Sequence, residues 1–375
     1  MKITPFALER YYVDYEFSVG TNISASCGAE TTTADLLALA GDEAKETYLS
    51  LGLDYRENKG DERLRELIAT EYDRLSAGDI QVTAGGSEAI FLLMHTLLNP
   101  GDRIIVETPI YQSLFQVAED LGAETARLPL APEEGFVPDP NRLETLLKEK
   151  RTKMVVINHP HSPTGSVLTN DLLVELGGLA ERHGALLVSD EVYWGVFYDP
   201  ADRVPHAADL FENAVTIGDM TKPYGLGGLR VGWLASRRTD ILDAASTMKD
   251  YTTMCAAAPS EYLSIIALEH RGEIIEKNIA VARKNIARFD DLVAESEGVL
   301  SWMPPKGGYT GFVKLTMKGR DVREFCIELI EKKDVLLLPG DVFGDPERFR
   351  IGVGTPADAF RRGTDALAEF LRETD

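Results

Sequence analysis

Lys222 stands where an apolar, β-rich run, AVTIGD, gives way to a glycine-rich turn that ends in an arginine, TKPYGLGGLR. A lone lysine is ordinarily a solvated surface residue. Here the apolar run shelters the amine, and the glycines let backbone approach a ligand closely. An amine sheltered in this way can have its pKa lowered and condense with an aldehyde to give a Schiff base.

Other residues complement that chemistry. The run ALLVSD ends in Asp190-Glu191-Val192-Tyr193. An aldehyde cofactor that stabilises a carbanion through a protonated pyridine nitrogen needs a carboxylate beside that nitrogen, which Asp190 can supply. Tyr193, three residues on, can donate to a phenolate oxygen. The cofactor with these needs is pyridoxal 5′-phosphate (PLP), and its phosphate requires a cradle. VTAGGSEAIFLL offers a strand, a Gly85-Gly86 turn and Ser87 opening a helix whose free N–H groups face an anion. Arg230, eight residues after Lys222, can add a bidentate contact to the phosphate. The glycine pattern is neither a P-loop nor a G-x-G-x-x-G fingerprint, which argues against nicotinamide-dependent oxidoreduction.

The elements that must position these residues are short and alternating. DIQVT, DRIIVET, ETARLPL, KMVVINH, ALLVSD, AVTIGD and RVGWLA are strand candidates separated by helical segments. In DLLVELGGLAERHG, Leu172, Leu173, Leu176 and Leu179 share a face and the helix stops at Gly184. The alternation predicts an α/β fold: a mostly parallel seven-stranded sheet with helices on both faces. Ligands then collect at the carboxyl ends of the strands. There Pro109-Ile110-Tyr111, HPHSPTG with Ser162, Asp190 to Tyr193, and Thr221-Lys222 converge on one rim.

After about residue 235 the pattern changes to a long helical stretch, roughly 260–293. DVREFCIELIEKKD then precedes the strand-like VLLLPG, which predicts a smaller α+β domain. PADAFRRGTDALAEFLRE spaces Phe360, Ala366, Leu367, Phe370 and Leu371 as an amphipathic closing helix. The expected units are an N-terminal segment over 1–45 packing with the small domain, a large domain over 46–285 and the small C-terminal domain over 286–375.

Composition sets the outer bounds. The 375 residues, 44% hydrophobic and 27% charged, suit a globular chain of two domains. Lys and Arg number 39 against 61 Asp and Glu, a formal charge of -22 that repels nucleic acid and anionic membrane. Cys27, Cys255 and Cys326 show no Cys-x-x-Cys spacing, so neither a disulfide framework nor a zinc site is suggested and a reducing compartment fits. No stretch approaches the roughly 18 apolar residues of a membrane span, and a cytoplasmic location is expected.

In order along nearly the whole chain, these motifs resemble the class I/II aminotransferases of the PLP-dependent fold type I superfamily. The resemblance is carried by YRENKGDERLR, the glycine-rich turn, P-x-Y, P-T-G, D-E-x-Y, the lysine with G-L-R, and a late arginine in RFRIGVG. It implies that Tyr55 reaches a neighbouring subunit's phosphate in a homodimer with shared active sites. By the same likeness Tyr111 stacks on the pyridine ring and Arg350 grips the substrate α-carboxylate. Gly28, in the variable segment SASCGAETT, is assigned to the substrate side. The implied activity moves an α-amino group from an amino acid to a 2-oxo acid, with Lys222 as general base.

Two positions depart from the family pattern. Ser162 replaces the asparagine of N-P-T-G that hydrogen-bonds the cofactor's phenolate oxygen, leaving His161 or Asn158 to compensate. Asp219 stands where the family has a phosphate-binding serine, and a carboxylate there repels phosphate. Asp219 is expected to orient Arg230 or a backbone amide while Thr221 supplies a hydroxyl. NISAS, N-x-P-H before P-T-G, and K-x-YGL-x-GLRVGW further resemble capreomycidine synthase-type enzymes, which cyclise arginine. A PLP-dependent lyase or cyclase is therefore the alternative reading, and a non-enzymatic PLP-binding regulator the remote one.

Overall fold

A computed structural model describes residues 3–374. Met1, Lys2 and Asp375, the outer ends of the expected first and last units, lie outside the described residues. The strands in chain order are β1 (Thr21–Asn22), β2 (Ile80–Thr83), β3 (Arg103–Thr108), β4 (Glu124–Pro129), β5 (Met154–Asn158), β6 (Leu186–Asp190) and β7 (Ala214–Asp219). They continue as β8 (Gly232–Ala235), β9 (Leu300–Ser301), β10 (Thr310–Leu315), β11 (Val335–Leu336), β12 (Leu338–Pro339) and β13 (Arg348–Gly352).

All seven strand candidates fall into one seven-stranded sheet of order β2-β8-β7-β6-β5-β3-β4. The pairs β3–β4, β3–β5, β5–β6 and β6–β7 are parallel, whereas β8 runs antiparallel to both its neighbours. Because successive side chains on a strand point to opposite faces, a sheet covered on both sides needs apolar residues at every position. The inner strands show it as continuous apolar runs, Ile104-Ile105-Val106 in β3 and Met154 to Ile157 in β5, whereas the edge strand β4 is only partly covered. Ile104, Val106, Met154, Val156 and Val188 pack with helix Gly85–Leu97, whereas Ile105, Val155, Ile157 and Leu187 pack with helix Asn170–Arg182. The four leucines expected on one face of that second helix all lie against the sheet, and Gly184, at φ 68°, turns the chain after it.

Two regions differ from the sequence reading. The expected helical stretch over 260–293 is two helices, Ala258–Glu269 and Arg271–Glu295, because His270 leaves helical geometry at φ −109°, ψ 18°. A one-residue break leaves the apolar periodicity on either side intact, so the sequence pattern does not reveal it. VLLLPG is extended but divides between two sheets. β11 pairs in parallel with β1, and β12 joins the antiparallel sheet of order β12-β13-β10-β9.

The β1–β11 pairing draws the chain's N-terminal segment onto its C-terminal part. Ile23 is fully buried in a core with Phe325, Phe349, Phe360 and Phe370. Helix Ala7–Tyr15 inserts Leu8 and Tyr11 among Phe312, Leu336, Leu338 and Phe343. The helix thus rests one face on the smaller sheets. Among the described residues, no helix is long and apolar enough to cross a membrane.

Candidate active site

The carboxyl ends of β5, β6 and β7 open on a cavity of about 850 Å³. Gly86, Ser87, Tyr111, Ser162, Asp190, Tyr193, Thr221, Lys222, Arg230 and Arg350 line it. The rim is a consequence of register: Asn158 at the end of β5 lies directly opposite Asp190 at the end of β6, and Asp219 closes β7. Three predicted residues lie elsewhere. Gly85 stands behind the wall, Gly28 contacts Lys222 only through backbone, and Tyr55 is 83% exposed beside a separate cavity.

Lys222 follows β7 in a single helical turn, Thr221–Tyr224, that ends at Gly225 with φ 70°. A side chain at Gly225 would lie 2.3 Å from the Ala29 carbonyl, so this glycine is what lets the N-terminal segment press on the lysine turn. Gly28 N–H donates to the Lys222 carbonyl at 3.1 Å, and Lys222 Nζ donates to Ser26 Oγ at 2.8 Å. The lysine's pKa is raised, contrary to the lowering expected from its sheltered setting. Burial alone pulls it down, but Tyr193, Cys27, Asp219 and Tyr111 together outweigh that and favour the ammonium.

Asp190 is buried, and burial pushes its carboxyl up to about 7. The Val192 N–H, donating to it at 3.2 Å, and Lys222 pull the other way, while the charge of Asp219 adds to the rise. Tyr193 Oη donates to the Ser26 carbonyl at 2.7 Å. The neighbouring Glu191 faces away from this chemistry: it accepts from the Ala207 N–H and pairs with His206, whose ring is stacked between Tyr72 and Trp194.

The two groups expected to compensate for Ser162 behave differently. His161 is buried and fully engaged, with Nδ1 on Thr164 and Nε2 on the Pro109 carbonyl, and burial lowers its pKa to about 4. It is a neutral structural histidine. Asn158 accepts from the Ser162 N–H at 2.6 Å and donates to the Asp190 carbonyl at 2.8 Å, yet it still borders the cavity, as does Ser162.

At the other end of the cavity, helix Gly85–Leu97 presents its N-terminus. Gly85 has φ 79°, and a side chain there would lie 2.5 Å from the Arg230 guanidinium, so glycine keeps that arginine within reach of the helix end. Asp219 does hold backbone amides: it accepts from Gly86 N–H at 2.5 Å and from Thr221 N–H. Among the described residues it makes no ion pair with Arg230, whose Nη1 instead donates to the Gly227 carbonyl. These residues fit PLP: Lys222 for the aldehyde, Asp190 for the ring nitrogen, and the helix end with Ser87, Thr221 and Arg230 for the phosphate.

Arg350 lies on β13, flanked by β12 and β10, and is 2% exposed. Its Nη2 donates to Tyr12 Oη at 2.7 Å and to the Ser24 carbonyl at 3.0 Å, while its buried Nε has no partner among the described residues. Such a buried cation at a cavity wall suits a carboxylate. Sequence reasoning missed Tyr12, Ser24, Ser26, Glu9 and Glu16, all from the first 26 residues and all at or beside the site. NISAS was the available signal: its two serines reach Arg350 and Lys222 respectively.

Comparison with known proteins accords with this geometry. The chain matches the model of the aminotransferase class I and II family over residues 40–367. It is 34% identical over 367 residues to capreomycidine synthase of Streptomyces vinaceus, covering 97% of this chain and 93% of that protein. It is 30% identical over 325 residues to an aspartate aminotransferase of Thermotoga maritima, covering 84% and 83%. Among solved structures, a PLP-dependent aminotransferase from Streptococcus suis is similar at TM-score 0.93 and 30% identity, covering 100% of this chain and 99% of that one. The PLP-dependent cyclase OrfR is similar at TM-score 0.91 and 31% identity, again over 100% and 99%. The chain belongs to the aminotransferase class I and II family of PLP-dependent enzymes.

Proposed function

We propose that the protein is an aminotransferase that moves an α-amino group from an amino acid to a 2-oxo acid. When bound, PLP supplies the aldehyde that carries the amino group and a ring that accepts electrons from the α-carbon. Lys222 would hold the cofactor through Nζ, and the same amine would serve as general base for the α-proton of a bound amino acid. Asp190, ionised, stabilises positive charge at the ring nitrogen. Tyr193 and Ser162 face the phenolate side, Tyr111 the ring, and the Gly86-Ser87 turn with Thr221 and Arg230 the phosphate. Arg350 takes the α-carboxylate. The observation that carries the reading is that Lys222 and Arg350 face one cavity of about 850 Å³. It thus has room for a substrate held at its carboxylate beside the base.

A second reading is cyclisation or elimination, favoured by the 34% identity to capreomycidine synthase over 97% of this chain. The two diverge after proton removal, so products decide between them. Holoenzyme is given a panel of amino acids with and without a 2-oxo acid, followed by visible absorbance and mass spectrometry. Turnover that requires the 2-oxo acid and converts it to an amino acid supports transamination. Release of ammonia or pyruvate, or a cyclised arginine, without a 2-oxo acid overturns it.

The same reading makes the enzyme a cytoplasmic homodimer in which Tyr55 serves the partner's phosphate. In support, Tyr55 lies beside Leu53, which is 84% exposed, and the three cysteines are free. A monomer is then inactive, which size-resolved activity measurements test.

A further inference from the structure

We propose that Asn278 and Asn285 are positioning residues that set the separation of the base and the carboxylate anchor: helix Arg271–Glu295 holds the Lys222 turn through Asn278 and the chain just beyond Arg350 through Asn285. This role rests on the reading that Lys222 acts on an amino acid held at its carboxylate by Arg350.

The buried face of the helix is one stripe, Asn278, Ala282, Asn285, Phe289 and Leu292, at alternating four- and three-residue spacing. A stripe that only packs is best filled with apolar side chains, because a buried amide costs free energy unless its hydrogen bonds are remade. Here two of the five are asparagines, 4% and 2% exposed. Each spends its amide on backbone next to a site residue.

The turn Thr221–Tyr224 is too short to satisfy its own later carbonyls. The Lys222 carbonyl accepts from the Gly28 N–H, and the Pro223 carbonyl accepts from Asn278 Nδ2 at 3.1 Å. The two contacts converge, since a side chain at Gly28 would lie 2.5 Å from that same Nδ2. Seven residues on, Asn285 uses both amide hydrogens, donating to the Val353 carbonyl at 2.9 Å and to the Thr355 carbonyl at 2.7 Å. These carbonyls follow directly on β13, which carries Arg350 and ends at Gly352. The same stretch presses on the N-terminal segment: side chains at Gly352 and Gly354 would lie 1.9 Å from the Ala25 carbonyl and 2.1 Å from the Cys27 carbonyl. Ser26, between those two, receives Lys222 Nζ. Midway along the stripe, Ala282 packs in one cluster with Tyr193, Tyr309 and Val353. The helix has neither Pro nor Gly after Gly272, so no source of a kink interrupts the two turns, about 10 Å, between the asparagines. It works as a ruler between the two ends of the substrate site.

The test uses Asn278→Leu and Asn285→Leu, which keep about the volume of each side chain and remove its donors. Alanine, the best helix former, gives the same comparison where a leucine variant does not fold. Holoenzyme is titrated with the twenty standard amino acids, and the one that changes cofactor absorbance at the lowest concentration is carried forward with the amine that lacks its carboxylate. In Asn285→Leu the dissociation constant of the amino acid should rise about fivefold while that of the amine stays within about twofold, because only the carboxylate anchor has moved. Asn278→Leu should leave the ratio of the two constants within about twofold but shift the pH midpoint of holoenzyme absorbance, which follows the surroundings of Lys222 Nζ. Asn285→Leu should not shift that midpoint. Equal weakening of both ligands in Asn285→Leu, or an unmoved midpoint in Asn278→Leu, overturns the ruler while leaving the amino-acid site standing. Loss of melting temperature with neither change does the same, since packing alone would produce it. No response to any amino acid in the unaltered enzyme overturns the amino-acid reading of the cavity, and the ruler with it.

Discussion

Lys222 Nζ donates to Ser26 Oγ at 2.8 Å, joining residues 196 apart in the chain, and the Ser26 carbonyl accepts from Tyr193 Oη at 2.7 Å. One N-terminal serine thus fixes both the base and the phenol beside it. Ser26→Ala keeps the carbonyl but removes the hydroxyl. A hydrogen bond to a charged group is worth about 1.5–3 kcal/mol, so kcat/KM is expected to fall by roughly tenfold or more. A pH titration of holoenzyme absorbance should shift as well, which a change in folding alone would not produce. Lys222→Ala abolishes turnover, and substantial activity in that variant would sink the assignment.

Asp190 and Glu107 set a pH dependence for the cofactor-free protein. Burial pushes Asp190 from an ordinary 3.8 up to about 7 and Glu107 from 4.5 up to about 8. A carboxyl with a raised folded pKa contributes stability that is fully present below its unfolded pKa and is lost as pH rises through the folded one. Cofactor-free protein is therefore expected to lose stability between about pH 4 and pH 8. Glu107 accepts from the Asn158 N–H at 2.6 Å, and Glu107→Gln preserves an acceptor while removing the buried charge. That variant should flatten the decline in melting temperature above pH 5, as calorimetry across the range would show. Bound cofactor places positive charge beside Asp190, so the holoenzyme should show a shallower slope than the cofactor-free form.

Arg350 is the substrate-carboxylate group of the proposed function, and Tyr12 its support. Arg350→Lys loses the planar fork that matches a carboxylate, so KM for the amino acid should rise about 10–100-fold, equivalent to roughly 1.4–2.7 kcal/mol. Tyr12→Phe removes the 2.7 Å contact to Nη2 together with the hydroxyl's 3.1 Å contacts to the Ser24 carbonyl and Oγ, leaves Arg350 its bond to the Ser24 carbonyl, and should raise KM less, leaving kcat nearly unaltered. Steady-state kinetics with both variants separates binding from positioning. A larger effect in Tyr12→Phe than in Arg350→Lys would contradict the order.

The central sheet was legible because its inner strands carry continuous apolar runs, such as Ile104-Ile105-Val106 and Val155-Val156-Ile157, and Asp190 and Lys222 because they stand just past such runs. The N-terminal contribution was visible only as the NISAS motif and not as a contact. Ser24, Ser26, Glu9 and Glu16 reach the site through a parallel pairing of only two residues per strand, Thr21 with Val335 and Asn22 with Leu336. No local periodicity encodes a contact of that sequence separation. The raised pKa of Lys222 was hidden for the same reason, since Cys27 and Tyr111 act on it through space. His161 shows the converse: its type suggested chemistry, but both ring nitrogens are spent on the Thr164 hydroxyl and the Pro109 carbonyl.

Asp219 occupies the Gly86 and Thr221 amides at the helix end that the phosphate needs. Two consequences of opposite sign follow. In the cofactor-free protein the carboxylate caps otherwise unpaired N–H groups, so Asp219→Ser should lower stability by about 1 kcal/mol, the usual worth of such a cap. In the loaded protein the same carboxylate stands close to a phosphate, and removing it relieves like-charge repulsion. Asp219→Ser should therefore bind PLP more tightly, by roughly tenfold, in an absorbance titration of cofactor-free protein. Asp219→Asn separates charge from shape, because it keeps an acceptor for the Gly86 amide and should show most of the gain in affinity with less of the loss in stability. If both variants bind PLP more weakly, the carboxylate is organising the phosphate site rather than competing for it.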